Sequence, residues 1–152
     1  MDLRITGLEQ VQRALQDSSR LIVAASFARA LDRAAGVFAA EVALQAAALG
    51  DSDSDTPLAE HVKTSVEVDT HKRGGIADVG FDQTQDERTG IPQDLKAYLI
   101  EYGHFIVTHK PEKDVRGFVR ARPFMRAAFE AAAERAIEAF ADSLIDTLSS
   151  LR

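Results

Sequence analysis

Apolar residues change their spacing several times along the chain, and each change marks an element. From Gly7 to Asp17, Leu8, Val11 and Leu15 recur at helical steps, which predicts a short amphipathic helix. Ser18 and Ser19 predict a break there and can cap the next helix. From Arg20 to Leu49, Val23, Phe27, Leu31, Phe38, Val42 and Leu49 form a broad stripe flanked by alanines, which permits a neighbouring helix to approach closely. Gly36 inside this helix predicts tight packing at that point, and Gly50 predicts its C-cap.

After the polar run Asp51–Asp55 and Pro57 the period becomes two. Val62, Thr64, Val66 and Val68 face one way and His61, Lys63, Ser65, Glu67 and Asp69 the other, the mark of a half-buried strand. His71 to Gly75 predicts a turn closing on Gly74-Gly75, followed by a partner strand over 76–81 with Ala77, Val79 and Phe81 on one face. Residues 82–94 predict a loop. Asp94 then caps a short helix over 95–102 that Gly103 ends, with Leu95, Tyr98, Leu99 and Tyr102 on one side. Segments 105–108 and 115–119 predict a second strand pair. Pro123 stands at the tolerated first position of a last helix running to about Leu151. Its apolar stripe is Met125, Phe129, Ala133, Ile137, Phe140, Leu144, Leu148 and Leu151; Arg126, Glu130, Glu134, Glu138, Asp142 and Asp146 line the opposite face. The pattern is that of a single α+β domain over 1–152: an antiparallel sheet packed by a long N-terminal helix and a C-terminal helix. Segments 51–56 and 109–117 are expected to be its most mobile parts.

Composition narrows the chemistry. The 152 residues include no cysteine, which removes disulfides, zinc–thiolate sites and thiol nucleophiles. The net charge of −6 is uneven: 51–94 is strongly acidic, whereas Lys110, Lys113, Arg116, Arg120, Arg122 and Arg126 form a basic stretch. An acidic chain is poorly suited to wrapping nucleic acid, and only Phe118 and Phe124 interleave with the basic groups, too few for stacking recognition of single strands. Asp2, Arg4 and Glu9 break the apolar start that a signal peptide needs. Arg29, Asp32, Arg33 and Glu41 bar a simple membrane span over 21–49, so no membrane partner is expected.

Candidate metal ligands are sparse. An EF-hand loop begun at Asp51 needs glycine sixth and glutamate twelfth, and those places hold Thr56 and Val62. His61, His71, His104 and His109 form no paired motif, although Glu101 and His104 leave a small metal-dependent hydrolase as the rival reading from another class. The sequence holds no Gly-x-Ser-x-Gly, Walker or dinucleotide glycine pattern, so no catalytic, cofactor or metal residue is assigned.

Three segments carry a resemblance: Gly7-Leu8-Glu9-Gln10-Val11 leading into the long alanine-rich helix, Tyr98-Leu99-Ile100-Glu101-Tyr102-Gly103, and Ala121-Arg122-Pro123-Phe124-Met125-Arg126-Ala127-Ala128-Phe129-Glu130. In order and spacing they resemble the tail-component family of long-tailed phages typified by the gene-ten product of Hong Kong-type lambdoid phages, over nearly the whole chain. That family's pattern has Glu-aromatic-Gly-Thr and Pro-Phe-leucine-arginine-Pro-Ala segments. Here His104 follows the glycine, Ala127 replaces a proline, and Asp55-Thr56-Pro57-Leu58 stands where a Pro-x-x-Thr-Gly-x-Leu segment is usual. The resemblance implies a non-enzymatic virion protein, made in the bacterial host cytoplasm, that joins head to tail in the neck or completes the tail. Minor tail protein and tail terminator are the alternatives within the class. It implies a homo-oligomeric ring, typically of six copies, neighbouring head-completion, connector and tail proteins, and a passing contact with phage DNA. The subunit interface it suggests is Glu101, Tyr102, Gly103, Arg120, Arg122, Pro123 and Phe124; the uneven charge separately leads us to expect the acidic 51–94 region of one copy against the basic 110–126 region of the next.

Overall fold

The computed structural model describes residues 8–50, 57–69, 74–87, 89–107 and 114–150, with side chains from Leu21 onward apart from Leu148. The fold is α+β: α1 (Leu8–Ala48), a 3-10 turn at Leu58–His61, β1 (Val62–Asp69), β2 (Gly74–Phe81), α2 (Gln93–Tyr102), β3 (His104–Val107), β4 (Val115–Val119) and α3 (Phe124–Ser149). Most of the turns expected at His71–Gly75 and His109–Asp114 and all of the loop 51–56 lie outside the described residues, and so do His71 and His109. The described end of 109–117 belongs to β4.

The break expected at Ser18-Ser19 does not occur, and α1 runs unbroken for 41 residues, about 60 Å. Interior serines cost only tenths of a kcal/mol, less than nucleating a second helix. Gly50, at φ 70°, closes α1 as expected, with amides 49 and 50 returning to the carbonyls of Ala46 and Ala47.

Helices α1 and α3 pack antiparallel, Phe27 edge-on to Phe140 at 5.4 Å and Phe38 stacked on Phe129 at 5.2 Å. Between these rings lie small buried residues, Ala30 and Ala35 on α1 and Ala132 and Ala136 on α3, with Ala128 buried just before Phe129. Small side chains let the helix backbones approach closely, and the larger ones are pushed to the flanks. This corrects part of the stripe expected for α3: Phe129 and Ile137 are 62% and 68% exposed, while Met125, Ala133, Phe140 and Leu144 are half-buried. Val23 is likewise exposed, and Gly36 faces open space rather than a tight contact. The acidic face is as expected, with Glu130, Glu134, Glu138, Asp142 and Asp146 all in solvent. Glu41, at the buried edge, receives hydrogen bonds from Gln45 (3.0 Å) and Arg135 (2.6 Å).

The single sheet expected from the sequence is two separate antiparallel hairpins, β1–β2 and β3–β4, with α2 between them in the chain. Strand β1 pairs from Val62↔Phe81 to Asp69↔Gly74, so Gly74 and Gly75 belong to β2 rather than to the turn. A Cβ on Gly75 would lie 2.6 Å from Leu31 Cδ1 and 3.0 Å from Phe27 Cε1, so the glycine is where α1 crosses the hairpin. Ala77, Val79 and Phe81 face inward as expected; Thr64 is exposed, unlike Val62, Val66 and Val68.

The main core lies where the end of α1, the first hairpin, α2 and the start of α3 converge: Val42, Ala46, Leu58, Ala97, Phe124 and Ala128. Helix α2 begins two residues before the expected position, with Pro92 at its N-cap and Asp94 inside its first turn. Its outward side holds Leu95, Tyr98 and Tyr102, while Gln93, Ala97 and Glu101 turn inward. The preceding loop is held by the buried Asp86 carboxylate, which accepts from Thr89 N and Oγ1 (2.9 and 3.0 Å) and pairs with Lys96 (3.3 Å).

Candidate functional site

The segments 98–103 and 121–130, far apart in sequence, meet at the junction of α2, β4 and α3. Arg122 N donates to Ile100 O at 2.8 Å, and Met125 N donates to Glu101 Oε2 at 2.9 Å. A Cβ on Gly103 would lie 2.5 Å from Val119 O and 2.8 Å from Ala121 N. The chain therefore folds back on itself tightly here.

Of the suggested interface residues, four serve the fold of the single chain. Glu101 is 8% exposed, and its carboxylate satisfies one of the open amides in the first turn of α3, where the helix dipole favours negative charge. Phe124 is buried and meets Phe81 edge-on at 5.9 Å. Gly103 permits the close crossing, and the Arg122 guanidinium donates to Leu49 O at the end of α1 (3.2 Å). Tyr102, Arg120 and Pro123 are exposed and available to another molecule.

The groups considered for metal chemistry are dispersed. Glu101 is occupied as a helix cap, and His104 Nδ1 lies 3.4 Å from Leu99 O. His61 Nδ1 stands 3.1 Å from Asp82 Oδ1, with Lys63 3.8 Å from the same carboxylate. Burial by itself pushes the Asp82 carboxyl up, but hydrogen bonds from Thr84 and His61 outweigh it and hold the group below its ordinary value. Among the described residues no three His, Asp or Glu side chains are gathered to hold a metal ion. A cleft of about 640 Å³ beside α2 is lined by Phe81, Tyr98, Tyr102 and Met125, with Asp94, Glu101 and Arg126 at its polar edge.

Comparison with protein-family models, curated proteins and solved structures finds no match.

The second strand pair is where the sequence predicts it; what sequence reading missed is its register. Register places Phe105 opposite Phe118, with ring centroids 5.1 Å apart, and side-chain alternation puts Arg116 and Arg120 on the same face. The other face carries His104, Ile106, Gly117 and Val119. Both phenylalanines are more than half exposed, and so is Val115. The aromatic partner of the basic stretch is thus Phe105, not the buried Phe124. A signal existed in the sequence: a turn centred near 111–112 pairs 105 with 118. A two-stranded hairpin with apolar side chains open to water on both faces is marginal alone. No helix among the described residues is long and apolar enough to cross a membrane.

Proposed function

We propose that this protein is a structural subunit of a tailed phage or prophage particle, acting as one copy of a ring where head joins tail, in the neck or at tail completion. The observation that supports it best is the exposed β3–β4 hairpin: it offers large apolar side chains on both faces, flanked by arginines, and among the described residues neither strand pairs with a third. Such a surface suits assembly. The resemblance of segments 98–103 and 121–130 supports the same reading, and those segments meet in space at the root of this hairpin. In this reading the protein is not an enzyme. Its partners are further copies of itself, six by the family pattern, and neighbouring head-completion, connector and tail proteins, with phage DNA passing through the ring. It is made in the host cytoplasm and ends in the virion.

The test is genetic and microscopic. Deleting the gene from an inducible prophage that encodes it should leave filled heads and finished tails unjoined in electron micrographs, and an epitope-tagged copy supplied in trans should appear at the neck. Normal numbers of joined particles without the protein would refute the proposal.

A further inference from the structure

Two exposed surfaces of this chain match each other in charge, apolar content and spacing. The first is the hairpin face with Arg116, Phe118 and Arg120 on β4 and its continuation, and Phe105 opposite Phe118. The second is the outward face of α3, where Glu130, Glu134 and Glu138 surround Ile137, which is about two-thirds exposed although it sits in mid-helix. Isoleucine in such a place is unexplained by the fold of one chain. Arg116, at the register shift opposite Ile106 and Val107, and Arg120, one residue past β4, are four residues apart, at most about 13 Å of extended chain. Glu130 and Glu138 are eight helix residues apart, about 12 Å. Each surface therefore presents an apolar centre between like charges at nearly equal spacing, and the charges are opposite.

The acidic region 51–94 is a poorer counterpart. Two of its carboxylates are spent within the chain, Asp82 on His61 and Lys63, and Asp86 on Lys96 and Thr89. The acidic groups of α3 point away from the body instead.

We infer that the β3–β4 hairpin of one copy docks on the outward face of α3 of a second copy, Arg116 and Arg120 toward Glu130 and Glu138, with Phe118 over Ile137. The two surfaces are different parts of the chain, so the contact is heterologous and repeats, closing into a ring if the rotation per copy allows it. This rests on the ring reading above and names the residues that would form its joints. Electrostatic pairing sets the register and the apolar centre supplies the affinity.

The absence of cysteine makes the test direct. Differently tagged copies carrying Phe118→Cys and Ile137→Cys should form a disulfide-linked dimer under mild oxidation, because docking brings the two positions within bridging distance. The yield should exceed that of a control pair, Phe118→Cys with the equally exposed Ile76→Cys on β2. It should fall severalfold when Arg116→Glu and Arg120→Glu are added to the first copy, and return when that copy meets one carrying Glu130→Arg and Glu138→Arg. All these positions are exposed, and unchanged circular dichroism confirms folding. A yield equal to the control, or one indifferent to charge reversal, overturns the inference. Control-level cross-linking together with arginine-dependent retention of a single-stranded oligonucleotide would also overturn it, and would make nucleic acid the partner of this hairpin. Failure of the cross-link leaves the head–tail proposal to be decided by the particles; joined particles without the protein would refute that proposal whatever the cross-link shows.

Discussion

The same substitution, glycine to alanine, should have opposite effects at two places in this chain. Gly103 ends α2 at φ 73° and ψ 167°, a region occupied essentially by glycine alone. A side chain there costs about 1–3 kcal/mol in backbone strain before any contact is considered. The added Cβ would also stand 2.5 Å from Val119 O and 2.8 Å from Ala121 N, both backbone atoms that cannot rotate away. Relief requires moving β4 off the end of α2, which pulls on the Arg122–Ile100 and Met125–Glu101 hydrogen bonds. Gly103→Ala should therefore destabilise the fold by about 3 kcal/mol or more, the strain plus at least one buried hydrogen bond. Gly36, in contrast, lies in the middle of α1 with nothing within 4 Å of a built Cβ. Gly36→Ala should stabilise by about 0.5–1 kcal/mol, since alanine loses less backbone freedom in a helix. Urea unfolding followed by circular dichroism measures both. With a slope of about 1–3 kcal/mol per molar, the two midpoints should move in opposite directions, the first by about 1 M or more. A Gly103→Ala midpoint within error of wild type would refute the close crossing of α2 and β4.

Phe124→Ala should cost about 3–5 kcal/mol because the ring is buried against Phe81, whereas Phe129→Ala should cost about 1 kcal/mol, the worth of its exposed stacking on Phe38; equal losses in chemical denaturation would contradict the assigned inward face of α3. Hydrogen bonds from Gln45 and then Arg135 hold the Glu41 carboxyl below its ordinary value, and Asp82 is also lowered, so both stabilise the fold at neutral pH. That contribution is present above the unfolded carboxylate range and is lost as pH falls through the lowered folded values. Glu41→Gln should thus lower the melting temperature at pH 7 and narrow the gap to wild type toward pH 3; a gap that widens on acidification would show the sign to be wrong.

Much of the local structure was legible because it depends on residues adjacent in sequence. Gly50 and Gly103 end their helices, Pro123 precedes α3, and the period-two runs mark β1 and β2, since backbone dihedral preference and side-chain alternation act over a few residues. The acidic outer face of α3 was legible for the same reason. The sequence also excluded thiol and disulfide chemistry outright, having no cysteine. Which face of a helix turns inward was decided only in the folded chain. Ala132 and Ala136 are buried in place of Phe129 and Ile137 because the stretch of α1 they meet, with Ala30 and Ala35, is itself small, and closeness of approach outweighs side-chain size. Gly75 reads as a turn residue until α1 lies across it. Glu101 reads as a metal ligand or an interface residue until the first turn of α3 arrives to be capped. The pairing of Phe105 with Phe118 between two arginines likewise exists only at one strand register. In each case the deciding contact joins residues distant in sequence, and their meeting depends on the whole chain having folded.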